Sequence, residues 1–88
     1  MNRDIVMIAL KNIVLNPSLL NDVSLPNINF PTMGGAVFWN DLAEYNGWRV
    51  QQNTLTQHCR ILDPDDVRRA WGGMDAMEKL FKRLSTVD

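Results

Sequence analysis

The sequence has one cysteine, one histidine, no long apolar run and no excess of basic residues. Cys59 alone cannot form an intrachain disulfide. Because a secreted chain this small would more often be cross-linked, the sequence favours a reducing, cytoplasmic setting. No apolar stretch approaches the ~20 residues of a membrane-spanning helix. Arg3 precedes an apolar run as in a signal peptide, but Asp4 follows at once and no small-residue cleavage site comes next. We therefore expect no membrane contact and assign the N-terminus to the fold.

The charge balance argues against a general polyanion binder. Nine Lys and Arg residues against ten Asp and Glu residues give a formal net charge of −1, whereas proteins that bind nucleic acid usually carry a basic excess. The 88 residues are 45% hydrophobic and 22% charged, which is ordinary globular composition. We expect a single domain over residues 1–88, with a core that is modest because the chain is short. Size alone favours a bacterial or phage origin.

The N-terminal segment has the spacing of a helix over residues 3–15. Asn2 can cap it, and the side chains that share one face are Ile5, Ile8, Ala9 and Ile13. Other apolar residues widen that face until little polar surface is left, so we expect this helix to be deeply buried or to lie against a partner. A buried strand over residues 5–10 is the alternative.

Two shorter helical segments are also predicted. Pro17 follows Asn16, which is the pattern of a capped helical turn, here running through Asp22. A last helix begins at Asp75 and covers the segment MDAMEKLFKRL. Between these ends, residues 23–35 hold two prolines and a glycine pair, which predicts a packed loop.

Residues 36–46 are predicted to form a second long helix. Their apolar stripe consists of Phe38, Trp39, Leu42 and Tyr45, and Gly47 is placed to end the helix. The apolar period then changes to two. Residues 48–51 and 55–61 therefore predict an antiparallel hairpin with a turn over residues 52–54, and Leu55, Cys59 and Ile61 share its apolar side.

The segment Asp63-Pro64-Asp65-Asp66 resembles a helix start. Asp63 can cap, Pro64 suits the first helical position, and the later carboxylates suit the positive end of the helix dipole. Apolar residues follow at Val67, Ala70, Trp71 and Met74. The alternative is a reverse turn that leads into a third strand over VRRAW. The predicted fold class is α+β: three to four helices packed on a short antiparallel hairpin, or on a three-stranded meander in the alternative.

The sequence predicts no catalytic, cofactor or metal site. His58 and Cys59 are neighbours on a strand, so they point to opposite faces and cannot pair as base and nucleophile. One His and one Cys do not complete a zinc site. The acidic run that begins at Asp63 lacks the glycine and closing glutamate of a calcium loop. Gly34-Gly35 has neither phosphate-binding motif. We expect that the protein is not an enzyme.

Three tryptophans accompany arginines, and this combination is common at interaction surfaces. The candidate surface residues are Arg49, Gln51, Thr56, His58, Arg60, Arg68 and Arg69. We expect a small non-catalytic protein-interaction or regulatory module that binds another protein, with a homodimer as one form. Nucleic-acid binding through the arginine-bearing hairpin face is the alternative, disfavoured by the charge balance. The tryptophans can equally form the small core.

Overall fold

A computed structural model describes residues 2–22, 30–31 and 38–86, and these form an α+β fold. The elements are α1 (Arg3–Leu15), a 3₁₀ helix (Pro17–Asp22), β1 (Phe30–Pro31), β2 (Trp39–Tyr45), β3 (Trp48–Asn53), β4 (Cys59–Leu62), β5 (Val67–Gly72) and α2 (Met74–Ser85). The sheet is antiparallel in the order β1-β5-β4-β3-β2. Strands β2 to β5 therefore form a meander. No helix among the described residues is long and apolar enough to cross a membrane.

The first helix is confirmed, but the side chains that it buries are only partly those predicted. The Asn2 side chain accepts hydrogen bonds from the backbone N–H groups of Asp4 (2.8 Å) and Ile5 (3.2 Å), which begins the helix as predicted. The buried side chains are Val6, Ala9, Leu10 and Ile13. Ile8 is 48% exposed and Ile5 only partly buried, because the sheet meets a neighbouring face of the helix. The strand alternative is wrong.

The last helix and the short helical turn are also confirmed. Helix α2 begins after Gly73, one residue before the predicted start, and buries Met77, Leu80, Phe81 and Leu84. It packs beside α1, where the Asn12 side-chain amide donates to the Leu84 carbonyl at 2.7 Å. Together the helices share one core with the sheet side chains of Val50, Ile61 and Ala70. The amphipathic pattern of α2 explains why its position could be predicted.

The predicted helix over residues 36–46 is wrong where the structure describes it, because strand β2 occupies Trp39–Tyr45. Asn46 and Gly47 have φ values of 52° and 85°. Two central residues with positive φ are the signature of the type I′ turn, whose strand-matching twist favours a two-residue hairpin. Gly47 therefore does not end a helix. It joins β2 to β3, with Tyr45 paired to Trp48 across the turn.

The predicted helix over residues 64–72 is wrong as well, and the alternative third strand is right, since β5 covers Val67–Gly72. Asp63 caps a turn instead of a helix: its Oδ1 accepts the N–H groups of Asp65 (2.9 Å) and Val67 (3.0 Å). Asp66 has a φ of 60°, which is incompatible with continuing a right-handed helix. The turn therefore reverses the chain, and β5 pairs with β4.

The hairpin predicted from residues 48–51 and 55–61 is confirmed in part, because its strands are Trp48–Asn53 and Cys59–Leu62. Val50 pairs with Ile61, and both lie in the core. The turn is longer than predicted, however, and Leu55 falls inside it with 75% of its surface exposed. The loop predicted over residues 23–35 lies outside the described residues, apart from the two-residue strand β1.

Substitution Gly47→Ala tests the turn between β2 and β3. A Cβ at Gly47 would approach the Pro64 Cβ to 3.2 Å, and the φ of +85° disfavours any L side chain. We expect a loss of about 1–2 kcal/mol in the free energy of unfolding, measured by urea denaturation. Gly73→Ala is the matched control, because nothing lies within 4 Å of an added Cβ there. Equal effects of the two substitutions would contradict the turn assignment.

Candidate interaction surface

The structure divides the seven predicted surface residues among three places. Alternation along β3 and β4 puts Arg49, Gln51 and Arg60 on the sheet face opposite the helices, because the intervening Val50 and Ile61 point into the core. Of the other four residues, Arg68 lies near enough to Arg60 to interact with it electrostatically. Thr56 and His58 are exposed in the turn between β3 and β4, and Arg68 and Arg69 are half-buried at an irregularity in the pairing of β5.

Arg60 lies at one end of a polar row across the sheet, with Gln51 in the middle and the exposed Asp41 at the other end. Its Nε donates to the Gln51 Oε1 at 2.8 Å, and the Gln51 Nε2 donates to the Asp41 Oδ1 at 2.8 Å. The guanidinium lies 3.9 Å above the Trp39 ring. Gln51 has no exposed surface and Arg60 only 7%. The side-chain amide therefore connects the guanidinium to a carboxylate that neutralises it.

The charge of the Arg60 guanidinium is affected by its burial and by the charged groups near it. Burial, and then the proximity of Arg49 and Arg68, lower the pKa of the Arg60 guanidinium, while Asp41 raises it. An arginine side chain stays protonated despite such a shift. The desolvation cost of burying the charged guanidinium is offset by the hydrogen bond to Gln51 and by the aromatic face of Trp39. These interactions identify Arg60 as a structural residue of the sheet.

The other arginines also contact groups of their own chain. Arg49 forms an ion pair with Asp66, and Arg69 Nη1 lies 3.5 Å from Asp63 Oδ2. The Arg68 guanidinium lies 5.0 Å from the centre of the Trp71 ring. Guanidinium groups engaged in this way are less available to phosphate groups, since those interactions would have to be exchanged.

Two exposed apolar residues that the sequence analysis missed lie together at one end of the sheet. Phe38 is 53% exposed and Leu55 is 75% exposed. The backbone N–H of Thr54 donates to the Phe38 carbonyl at 2.8 Å, which brings the start of β2 beside the turn that carries Leu55. We call Phe38, Leu55, Thr56 and His58 the turn-end patch. Trp71 borders it, since its ring centre lies 5.9 Å from that of His58.

Hydrogen bonds fix the turn that presents Leu55. The Asn53 Oδ1 accepts the N–H groups of Leu55 (2.8 Å) and Thr56 (3.0 Å), and the Asn53 N–H donates to the His58 carbonyl at 2.7 Å. Gln57 adopts a φ of 65°. Asparagine commonly caps its own turn in this way. Asn53 was the residue in the sequence that indicated this turn. The predicted turn ended at residue 54, however, and therefore placed Leu55 on a strand.

The exposed side of α1 is a weaker candidate surface. Ile8 is 48% exposed and Leu15 is 80% exposed, and their spacing of seven residues places both on one side of the helix. Lys11 lies between them on that side and is exposed. A charged residue therefore interrupts the apolar surface, whereas no charged side chain belongs to the turn-end patch.

Cys59 lies in the core, as predicted. It is fully buried, and burial raises the pKa of its thiol from 9.0 to about 11. Because the thiolate is the reactive form, such a thiol is a poor nucleophile near neutral pH. Throughout residues 2–22, 30–31 and 38–86, no three His, Cys, Asp or Glu side chains are grouped to hold a metal ion.

Comparison with known proteins adds no relative: the chain matches no protein-family model, no curated protein and no solved structure.

A thiol reagent tests the environment of Cys59. We expect slow labelling of the folded protein and fast labelling in denaturant. Cys59→Ser should lower the free energy of unfolding by about 1 kcal/mol or more, because a hydroxyl is then buried.

The folded protein retains the thiol proton up to a pH of about 11, whereas the unfolded chain releases it near 9.0. Stability should therefore fall as the pH rises between these values. Cys59→Ala should lack this part of the pH dependence, and rapid labelling under native conditions would contradict the burial.

Proposed function

We propose that this chain is a small non-catalytic protein-interaction module that self-associates through the turn-end patch. One observation carries the proposal: a hydrogen-bonded turn holds Leu55 outward beside Phe38, and both side chains are largely exposed. Apolar residues that are exposed together are common at binding sites, where they are removed from water on association. A reducing, cytoplasmic setting belongs to the proposal, in keeping with the free thiol of Cys59.

The rigidity of the turn favours binding. A surface that is already held in one conformation loses less conformational entropy when a partner docks, so more of the interaction energy contributes to affinity. Four backbone and side-chain hydrogen bonds of Asn53 within the turn supply that order before binding. Trp71, bordering the patch beside His58, adds an aromatic side chain of the type enriched at energetically important interface positions.

A second copy of the chain is the partner that the charge distribution favours. In a two-fold dimer each residue near the axis faces its own equivalent, so a charged patch would repel itself. The turn sequence from Gln52 to His58 contains no Asp, Glu, Lys or Arg. Two such turns can therefore meet without like-charge repulsion, and burial of Leu55 and Phe38 supplies the attraction.

Nucleic-acid binding is supported less well. The observation in its favour is that Arg49, Arg60 and Arg68 interact electrostatically across one sheet region. Against it, Arg60 is almost fully buried and Arg49 is paired with Asp66. Phosphate recognition needs guanidinium groups that can reach the ligand, and the net charge of −1 adds no general attraction.

Sedimentation equilibrium of Leu55→Glu tests the proposal. We expect the unmodified protein to shift from monomer to dimer as its concentration rises, and Leu55→Glu to remain monomeric because two carboxylates would face each other. Leu15→Glu is the matched control, since Leu15 is also an exposed leucine but lies on α1, away from the turn. It should dimerise like the unmodified protein.

Three outcomes would overturn this proposal. A monomer at every accessible concentration removes self-association, and loss of the dimer in Leu15→Glu instead of Leu55→Glu moves the interface to α1. The third is submicromolar binding of random DNA or RNA at ~150 mM salt, abolished by Arg49→Ala with Arg60→Ala, which would replace the proposal with the nucleic-acid alternative. Circular dichroism of each variant distinguishes loss of binding from loss of folding.

A further inference from the structure

The turn between β2 and β3 contains a chemically reactive dipeptide. Asn46-Gly47 is the one asparagine–glycine pair among the nine asparagines of the sequence. Glycine has no Cβ, so its backbone nitrogen approaches the preceding side-chain amide with less hindrance than that of any other residue. Both residues are exposed to water.

The folded turn restrains this reaction. The positive φ values of Asn46 and Gly47 belong to a turn that is closed by the pairing of Tyr45 with Trp48. Attack by the Gly47 nitrogen on the Asn46 side chain requires the backbone to rotate out of this turn. The reaction therefore proceeds when the hairpin opens locally, and its rate reports how often that happens.

We propose that Asn46 is a site of spontaneous deamidation whose rate is set by opening of the β2–β3 hairpin. The Gly47 backbone nitrogen forms a bond to the Asn46 Cγ, the bond from Cγ to the amide nitrogen breaks, and ammonia leaves with the Gly47 N–H proton. Water then opens the resulting succinimide ring. Cleavage of the bond between Cγ and the Gly47 nitrogen gives an aspartyl residue, and cleavage at the backbone carbonyl gives an isoaspartyl residue. No oxidation or reduction takes place.

The two products have different consequences for the fold. An aspartyl–glycine pair also favours the type I′ turn, so that product keeps the hairpin and adds one negative charge. The isoaspartyl product inserts an extra methylene into the main chain of a two-residue turn. Little space is available there, since an added carbon on Gly47 already comes within 3.2 Å of Pro64. The isoaspartyl form therefore loosens β2, which lies at the edge of the sheet formed by the described residues and pairs there with β3.

Peptide mapping of protein aged at physiological temperature and slightly alkaline pH tests this proposal. We expect a mass gain of about one dalton in the peptide that contains Asn46, with both products resolved by chromatography, before any change at Asn40 or Asn53. In denaturing urea the rate should rise by about tenfold or more, because the hairpin is then always open. Asn46→Gly is the control, since Gly-Gly supports the same turn but has no side-chain amide.

Each of three contrary outcomes would contradict a different part of the proposal. If Asn46 deamidates no faster than Asn40 and Asn53 in the folded protein, the site assignment is wrong. If native and denatured protein deamidate at the same rate, hairpin opening does not control the reaction. If the aged Asn46→Gly protein loses β2 protection in hydrogen exchange to the same extent as the unmodified chain, the structural consequence assigned to the isoaspartyl product is wrong.

Discussion

The buried guanidinium of Arg60 is the constraint around which the sheet is arranged. A charge removed from water is tolerated when hydrogen bonds and an opposite charge replace the lost solvation. Gln51 supplies the acceptor, Asp41 supplies the carboxylate at the end of the row, and Trp39 supplies an aromatic face. These groups lie on β2, β3 and β4, so the row links three strands through their side chains as well as through their backbones.

The predicted surface arginines and the exposed apolar residues Phe38 and Leu55 have different surroundings. The arginines that suggest a ligand-binding face in the sequence stabilise the sheet, through Gln51 and Asp41 for Arg60 and through Asp66 for Arg49. The apolar surface at the end of the meander lacks such partners. Its turn is held by Asn53, and Leu55 projects from it. The fold thus exposes Leu55 and Phe38, while Arg49 and Arg60 interact with groups of their own chain.

The ends of the chain could be predicted from sequence, and two segments of the meander could not. Helices α1 and α2 have local capping and periodicity, and the pairing of Val50 with Ile61 follows from alternation. Strand β2 has helix-like spacing of aromatic residues, but tertiary pairing overrides it. The Asn46-Gly47 pair was the available signal for this hairpin. By contrast, no comparable dipeptide in the sequence indicates the positive φ of Asp66.

The shared face of the candidate residues could be predicted from the sequence, whereas their burial and their contacts could not. Arg49, Gln51 and Arg60 do share a face, as alternation implies. Arg60 is buried on the sheet face opposite α1 and α2, where the bulged strand β2 supplies Asp41 and Trp39. The sequence predicts a helix in place of β2, so these contacts could not be expected from it. Leu55 is displaced because Asn53 extends the turn. The first difference arises from contacts between strands, which local periodicity does not encode. The second arises from the local hydrogen bonds that the Asn53 side chain accepts.

A double-mutant cycle on Gln51 and Arg60 tests the central claim most directly. Gln51→Met leaves a buried guanidinium without its acceptor and should lower the free energy of unfolding by about 2–3 kcal/mol. Arg60→Met removes the other partner, and the double variant replaces both with apolar groups of similar length. The account predicts that the double variant is more stable than the sum of the single effects implies, with a coupling of about 1 kcal/mol or more. Small, additive effects in urea denaturation would contradict it, because Arg60 would then be a surface residue and not the charge that organises the sheet.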